Sequence, residues 1–245
     1  MPGDSHRRQP SHEVDGGGEP LERFGLRLSA GLAGVVIAGA AFGLLLALVR
    51  VQWPPLTDLD RDVAARLNAL VADSKITVNV LRSTTEFGGR NLLMLVLLVG
   101  TIYLLVRRQP RLAVYAVVTS VGALILDPVL KLLVERLRPV VDVPVATAPG
   151  PSFPSGHALG SIVSYGVLLL IFLPTTPRRH RTFVVAVVAV LVVLVGVSRV
   201  ALGVHYVTDV LGAGCWASPG SASRRPPSAA GASIPATPPC RSARA

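Results

Sequence analysis

Five apolar runs separated by short polar stretches set the plan of this chain: 26–49, 91–106, 112–133, 157–173 and 183–200. A helix rises about 1.5 Å per residue, so about 20 apolar residues cross a hydrocarbon core of about 30 Å. The first run is long enough to span, and its many Gly and Ala suit close helix contacts in lipid. The run at 91–106 spans if residues 87–89 lie in the interface. Asp127-Pro128 interrupts the far end of the third run. The fifth is very rich in Val, yet in lipid the backbone must satisfy itself, so a helix is expected there too. A further run, 204–217, reaches only about 21 Å and falls short of a bilayer core. The pattern predicts an all-α, polytopic membrane helix bundle of five spans followed by a short sixth run.

The stretch 50–90 is more polar. Trp53 sits just past the first run, where an interfacial aromatic belongs. Pro54-Pro55 is expected to break the helix, with Thr57 as N-cap before Asp58, Asp60 and Asp62. Val63, Leu67 and Leu70 follow at helical spacing. An amphipathic helix on the membrane surface and a solvated, partly helical connection both fit. Residues 1–22 read as a disordered tail, rich in Gly, Pro, Ser and charge and lacking a signal-peptide pattern. Residues 23–217 form the membrane-embedded domain. Residues 218–245 contain no acid and no Lys and are almost all Ala, Ser, Pro, Arg and Gly, so a second, basic disordered tail is expected.

Composition sharpens the class. The 245 residues are 51% hydrophobic and only 16% charged, against about 25% charged in soluble domains. A net charge of +10 could suggest nucleic acid, but the basic residues lie between apolar runs and in the tails, with no basic face on a soluble domain. Cys215 and Cys240 make no disulfide framework, and no Cys/His cluster has metal-ligand spacing. Arg107, Arg108 and Arg111 fall on the same side as Arg178, Arg179 and Arg181 if the spans alternate. The positive-inside rule puts both groups, and the N-terminus, in the cytoplasm.

Three polar islands then meet at the opposite, outer face. In the first, Lys131 and Arg138 are seven apart and return to nearly one face if the helix runs on to Pro139. Snorkelling cations are the ordinary alternative. Glu135 is placed to pair with Lys131, and Arg136 is expected to face solvent or headgroups. The second is Pro154-Ser155-Gly156-His157. Ser155 suits an N-cap, Gly156 allows close approach to the backbone, and a helix N-terminus attracts anions. In the third, Arg199 closes the fifth run, Gly203 stops the helix, and His205 and Asp209 are four apart. A carboxylate that accepts the Nδ1 proton of a His leaves Nε2 free to attack.

K-x6-RP, PSGH and SR-x5-H-x3-D, in this order and between these spans, resemble the three signature motifs of the type-2 phosphatidic acid phosphatase superfamily, which also includes bacterial acid phosphatases and vanadium haloperoxidases. The likeness covers about 80 residues and every motif position is filled. It implies that Lys131, Arg138 and Arg199 bind the phosphoryl oxygens, with Ser155 and Gly156 helping. His205 would be the nucleophile, Asp209 would orient it, and His157 would protonate the leaving group and later activate water. The resemblance also implies a plan of six membrane helices, of which the sixth is truncated in this chain. No cofactor or metal is implied. The partners implied are a lipid phosphate substrate and membrane lipids, in a multi-pass cell membrane protein whose site faces outward. Undecaprenyl or another polyprenyl diphosphate is the first expectation, phosphatidate or phosphatidylglycerophosphate the next. A non-hydrolytic lipid-phosphate binder or transporter on the same scaffold is the alternative. The haloperoxidase relatives are soluble and fit this chain less well. The abrupt change of composition near 212–215 suggests a shift of reading frame in GC-rich coding DNA. Translating the other two frames tests this: an apolar run of about ten residues should continue in one of them.

Overall fold

The computed structural model describes residues 20–217, all of whose regular elements are helical. In chain order they are α1 (Pro20–Arg50), α2 (Pro54–Ala72), α3 (Lys75–Glu86), α4 (Arg90–Val106), α5 (Pro110–Val134), α6 (Gly156–Phe172), α7 (Arg178–Ala201) and α8 (Val207–Ala217), with a 3₁₀ turn at Leu173–Thr175. The all-α plan follows from the apolar runs. Five stretches are long and apolar enough to cross a membrane: Leu32–Arg50, Lys75–Val106, Pro110–Val134, Gly156–Thr175 and Arg178–Ala201. Large apolar side chains such as Val36, Leu98, Ile125 and Val193 stay exposed on these helices. In water such surfaces would drive aggregation; in a bilayer they face lipid.

Most of the expected tails lie outside the described residues. α1 begins at Pro20, three residues inside the stretch assigned to the N-terminal tail. α6 packs against α4, α5, α7 and α8, which makes it the centre of the bundle. Its Ala158 and Leu159 are buried with Ala213 of α8. Farther along, Val167 and Ile171 pack with Leu104, Ala113 and Ala116 of α4 and α5. The α4–α5 and α6–α7 turns carry the basic groups and lie at the end of the bundle away from the α5 C-terminus and the α6 N-terminus.

Several local expectations change. α1 ends at Arg50, before Pro54-Pro55, and the pair then opens a new helix, α2, at its first positions behind Trp53, where a missing N–H costs nothing. Thr57 is inside the first turn, its Oγ1 donating back to the Pro54 carbonyl at 3.0 Å. α2 does not simply lie on the membrane. Its buried residues are Asp60, Ala64 and Asn68, a stripe at i, i+4, i+8 beside the expected apolar face; Leu67 packs against it, while Leu70 is exposed. That stripe packs on α7 and α8, with Asn68 Nδ2 donating to the Ala201 carbonyl at 3.3 Å. Residues 75–86 form a separate helix, α3, capped by Ser74 Oγ on the Thr77 N–H at 3.2 Å. Asp127-Pro128 does not interrupt α5, which runs through Pro128 to Val134. Arg178, Arg179, His180 and Arg181 are the first turn of α7, entered at Pro177.

α8 has 11 residues, about 16 Å, and is not among the membrane-length helices. It packs nonetheless against α1, α2, α6 and α7. The α7–α8 connection turns at Gly203, with φ +73. A Cβ there would lie 2.9 Å from Val141 Cγ2. Gly203→Ala therefore combines left-handed strain with a clash. It should lower stability by about 2 kcal/mol, read as a lower thermal midpoint of the purified protein in detergent.

Candidate active site

One cavity of about 280 Å³ opens where the C-terminal ends of α5 and α7 meet the N-terminal end of α6. Lys131, Arg138, His157, Arg199 and His205 line its polar part, and Leu93, Met94, Leu97, Leu124 and Val163 continue it between α4, α5 and α6. The three polar islands do converge, but not all by the expected routes.

Lys131 is in the last turn of α5. The helix then ends at Glu135, whose backbone is left-handed (φ 49). Arg138 therefore reaches the cavity from the non-helical segment that follows α5 and shares no helix face with Lys131. The residue before a proline is biased away from helix, so a helix running up to Pro139 was not tenable. Arg138 is instead fixed by carbonyls: Nε donates to Gly150 at 2.9 Å, Nη2 to Pro149 at 2.9 Å, and Nη1 to Val204 at 2.6 Å. Burial pulls this guanidinium below its ordinary pKa, against Asp209 and Asp127, which push it up.

Ser155 holds the N-cap position of α6 with extended backbone, yet its Oγ makes no cap bond. That oxygen is buried and unpartnered, a costly state unless something else meets it. Gly156 starts the helix and, with His157, lines the cavity. Arg199 is buried in the last turn of α7; Nη1 reaches Thr85 Oγ1 at 3.3 Å and Nε has no partner. A buried guanidinium with an unused donor is an anion site in waiting.

His205 precedes α8, so its pairing with Asp209 spans the helix N-terminus and is not an i, i+4 face pair. Nδ1 lies 3.4 Å from Asp209 Oδ2, and Nε2 lies 3.3 Å from Arg138 Nη1. Arginine can only donate, so Nε2 accepts, and Nδ1 carries the proton toward Asp209. The ring is thereby set in the tautomer that leaves the Nε2 lone pair facing the cations. Burial pushes the His205 pKa down; Asp209 opposes this, while Arg199 and Arg138 add to it. Its neutral form is favoured near pH 7.

Two expectations about neighbours are overturned. Glu135 does not pair with Lys131, because as the helix C-cap it is turned out; Lys131 Nζ bonds Asp127 Oδ2 at 2.7 Å. Arg136 does not face solvent. Its side chain is 9% exposed and bonds Asp60 Oδ2, Asp209 Oδ1 and Thr208 Oγ1, each at 2.7 Å. It also stacks over the Tyr206 ring. Asp60 in turn accepts from the Thr208 N–H at 3.1 Å and from the Thr208 hydroxyl. Asp209 Oδ2 also takes the Tyr206 N–H at 2.8 Å. Sequence reasoning missed Asp60, Thr208 and Asp127 as parts of this centre. The usable signal for Asp60 was its place four before Ala64 and eight before Asn68, a polar–small–polar stripe that a surface helix has no reason to keep.

Residues 111–218 match the PAP2 superfamily. Phosphatidylglycerophosphatase B of Bacillus subtilis (strain 168) is 42% identical over 90 residues, 36% of this chain and 44% of that one. Undecaprenyl-diphosphatase of Sulfolobus acidocaldarius is 34% identical over 128 residues, 49% of this chain and 58% of that one. The chain thus spans about half the length of these two relatives. The crystal structure of a transmembrane PAP2 type phosphatidylglycerolphosphate phosphatase from Bacillus subtilis superposes with a TM-score of 0.65 at 27% identity, covering 76% of this chain and 90% of that one. The matched stretch holds Lys131, Arg138, Ser155, Gly156, His157, Arg199, His205 and Asp209, and over it the chain is similar to the PAP2 superfamily.

Proposed function

We propose that this protein is a membrane phosphatase that hydrolyses phosphate esters or anhydrides of lipids through a phosphohistidine. The observation that carries the reading is the joint placement of His205 Nε2 and the cations Lys131, Arg138 and Arg199 around one cavity that continues between apolar helices. A headgroup phosphate would sit at the polar end, its tail between α4, α5 and α6. The three cations gather the phosphoryl oxygens and stabilise their charge as the transferring group loosens. Arg138 turns its Nη1 to a phosphoryl oxygen and frees the lone pair it holds at rest. His205 Nε2 attacks phosphorus, and the bond to the lipid oxygen breaks. Protonated His157 gives its proton to that oxygen. His157 then takes a proton from water, the hydroxide attacks phosphorus, and the P–N bond breaks to release phosphate and regenerate His205.

The same reading puts the site at the outer face of the cell membrane. The basic turns at 107–111 and 178–181 are at the other end of the bundle, and the positive-inside rule holds that end in the cytoplasm. Among substrates, polyprenyl diphosphates, phosphatidylglycerophosphate and phosphatidate all join a phosphate to a lipid tail and fit this cavity in kind. The test is phosphate release by purified protein from a panel of prenyl and glycerolipid phosphates in detergent. Release from at least one is expected. Tight lipid-phosphate binding without release across the whole panel would overturn hydrolysis and favour the non-hydrolytic alternative.

A further inference from the structure

Asp127 is the one carboxylate among the residues that line the cavity. It sits one turn before Lys131 on α5, and Oδ2 meets Lys131 Nζ at 2.7 Å with both side chains largely buried. On its other side is the start of α6. A Cβ built on Gly156 would lie 3.1 Å from each carboxylate oxygen, and Oδ1 has no hydrogen-bond partner. The carboxylate is therefore wedged between a phosphate-binding cation and a helix N-terminus, where the oxygens of a bound anion would otherwise lie. Lys131, Arg138, His157, Arg199 and His205 line the same cavity, with Arg90 at its α4 edge.

Three fixed cations with no acid among them would hold product phosphate as firmly as they hold substrate. Binding both states equally does not raise turnover, and product release limits many enzymes. We propose that Asp127 is the internal counter-anion of the phosphate subsite: it holds Lys131 while the site is empty, yields it to the substrate phosphoryl group, and by its charge keeps inorganic phosphate from staying bound. Asp127 is thus a positioning residue that acts through Lys131. The assignment rests on the pocket being a phosphatase site.

The test is Asp127→Asn, which keeps the side chain's size and an oxygen for Lys131 but removes the charge. The Ki of inorganic phosphate should fall about tenfold, as expected for deleting one like charge close to an anion, and kcat should fall with it. In a Lys131→Gln background the same change should move Ki much less, since the two residues are coupled. If Asp127 only braces Lys131, Asp127→Asn weakens phosphate binding, and that sign, or an unchanged Ki, overturns the proposal. Titration of inorganic phosphate into the purified protein, followed by ³¹P NMR, gives the same comparison without turnover. A protein that binds phosphate more tightly as Asp127→Asn yet never hydrolyses lipid phosphates would retain this inference and sink the enzymatic one. Should the Asn variant not fold, Asp127→Ser removes the same charge in a smaller side chain and must shift phosphate binding in the same direction.

Discussion

His205→Ala should lower phosphate release by roughly 10³-fold or more, the scale on which removing a catalytic nucleophile acts. The size follows from what the ring contributes. Nε2 is the nitrogen held among the cations, its lone pair set by the Arg138 contact at 3.3 Å and its tautomer by Asp209. Alanine leaves the three cations in place, so substrate binding should survive better than turnover, and the loss should appear in kcat more than in KM. His157→Ala gives the complementary result. Attack by His205 remains while water activation is lost, so an acid-labile phosphoenzyme should accumulate with an activated phosphate and be absent in His205→Ala. A phosphoenzyme that forms equally in both variants would remove His205 from the nucleophile's role. Because burial holds the His205 pKa below its ordinary value, protonation of the free enzyme's nucleophile should reduce kcat/KM only as pH falls below about 6.5, the ordinary histidine value. The expected acid limb is therefore shifted toward lower pH, read from initial rates at low substrate.

Much of this site was legible in the residues alone. Long apolar runs force helices because a bilayer offers the backbone no other partner, so the spans and their order follow directly. Lys131, Ser155, Gly156, His157, Arg199 and His205 flank those runs at one end of the bundle, which is why short polar strings at run ends located the cavity. Periodicity failed where the backbone leaves the helix. The left-handed cap at Glu135 redirected both Arg136 and Arg138, and a spacing argument that assumed a continuous helix placed one outside and the other on the wrong element. Distance in sequence was the second obstacle. Asp60 is 148 residues from Thr208, and no local pattern ties α2 to the N-terminus of α8. Asp127 was legible as an acid beside a proline, but its meaning depends on Gly156 approaching from another helix.

Arg136→Ala should be the most damaging change outside the residues proposed to touch phosphate. Arg136 lies between two carboxylates that are almost wholly buried, Asp60 and Asp209. Removing it leaves both without their cation, and breaking a buried pair in this way costs roughly 3–5 kcal/mol. For a chain of this size that is a fall of roughly 10 °C in the thermal midpoint. The functional effect runs through Asp209. Arg136 holds Oδ1, so Oδ2 is the oxygen presented to His205 Nδ1. With Oδ1 released, the carboxylate can turn and the imidazole loses its fixed tautomer. Asp60→Asn should be milder in stability, since Arg136 keeps Asp209 and the amide can still accept from Thr208. The combination Asp60→Asn with Arg136→Met balances the charge lost at each site. It should recover part of the thermal midpoint relative to Arg136→Ala while turnover stays low, because nothing then holds Asp209 Oδ1. Recovery of turnover along with stability would mean that the network only holds α2 against α8. Recovery of stability alone would show that the Arg136 contact to Asp209 Oδ1 helps to aim His205.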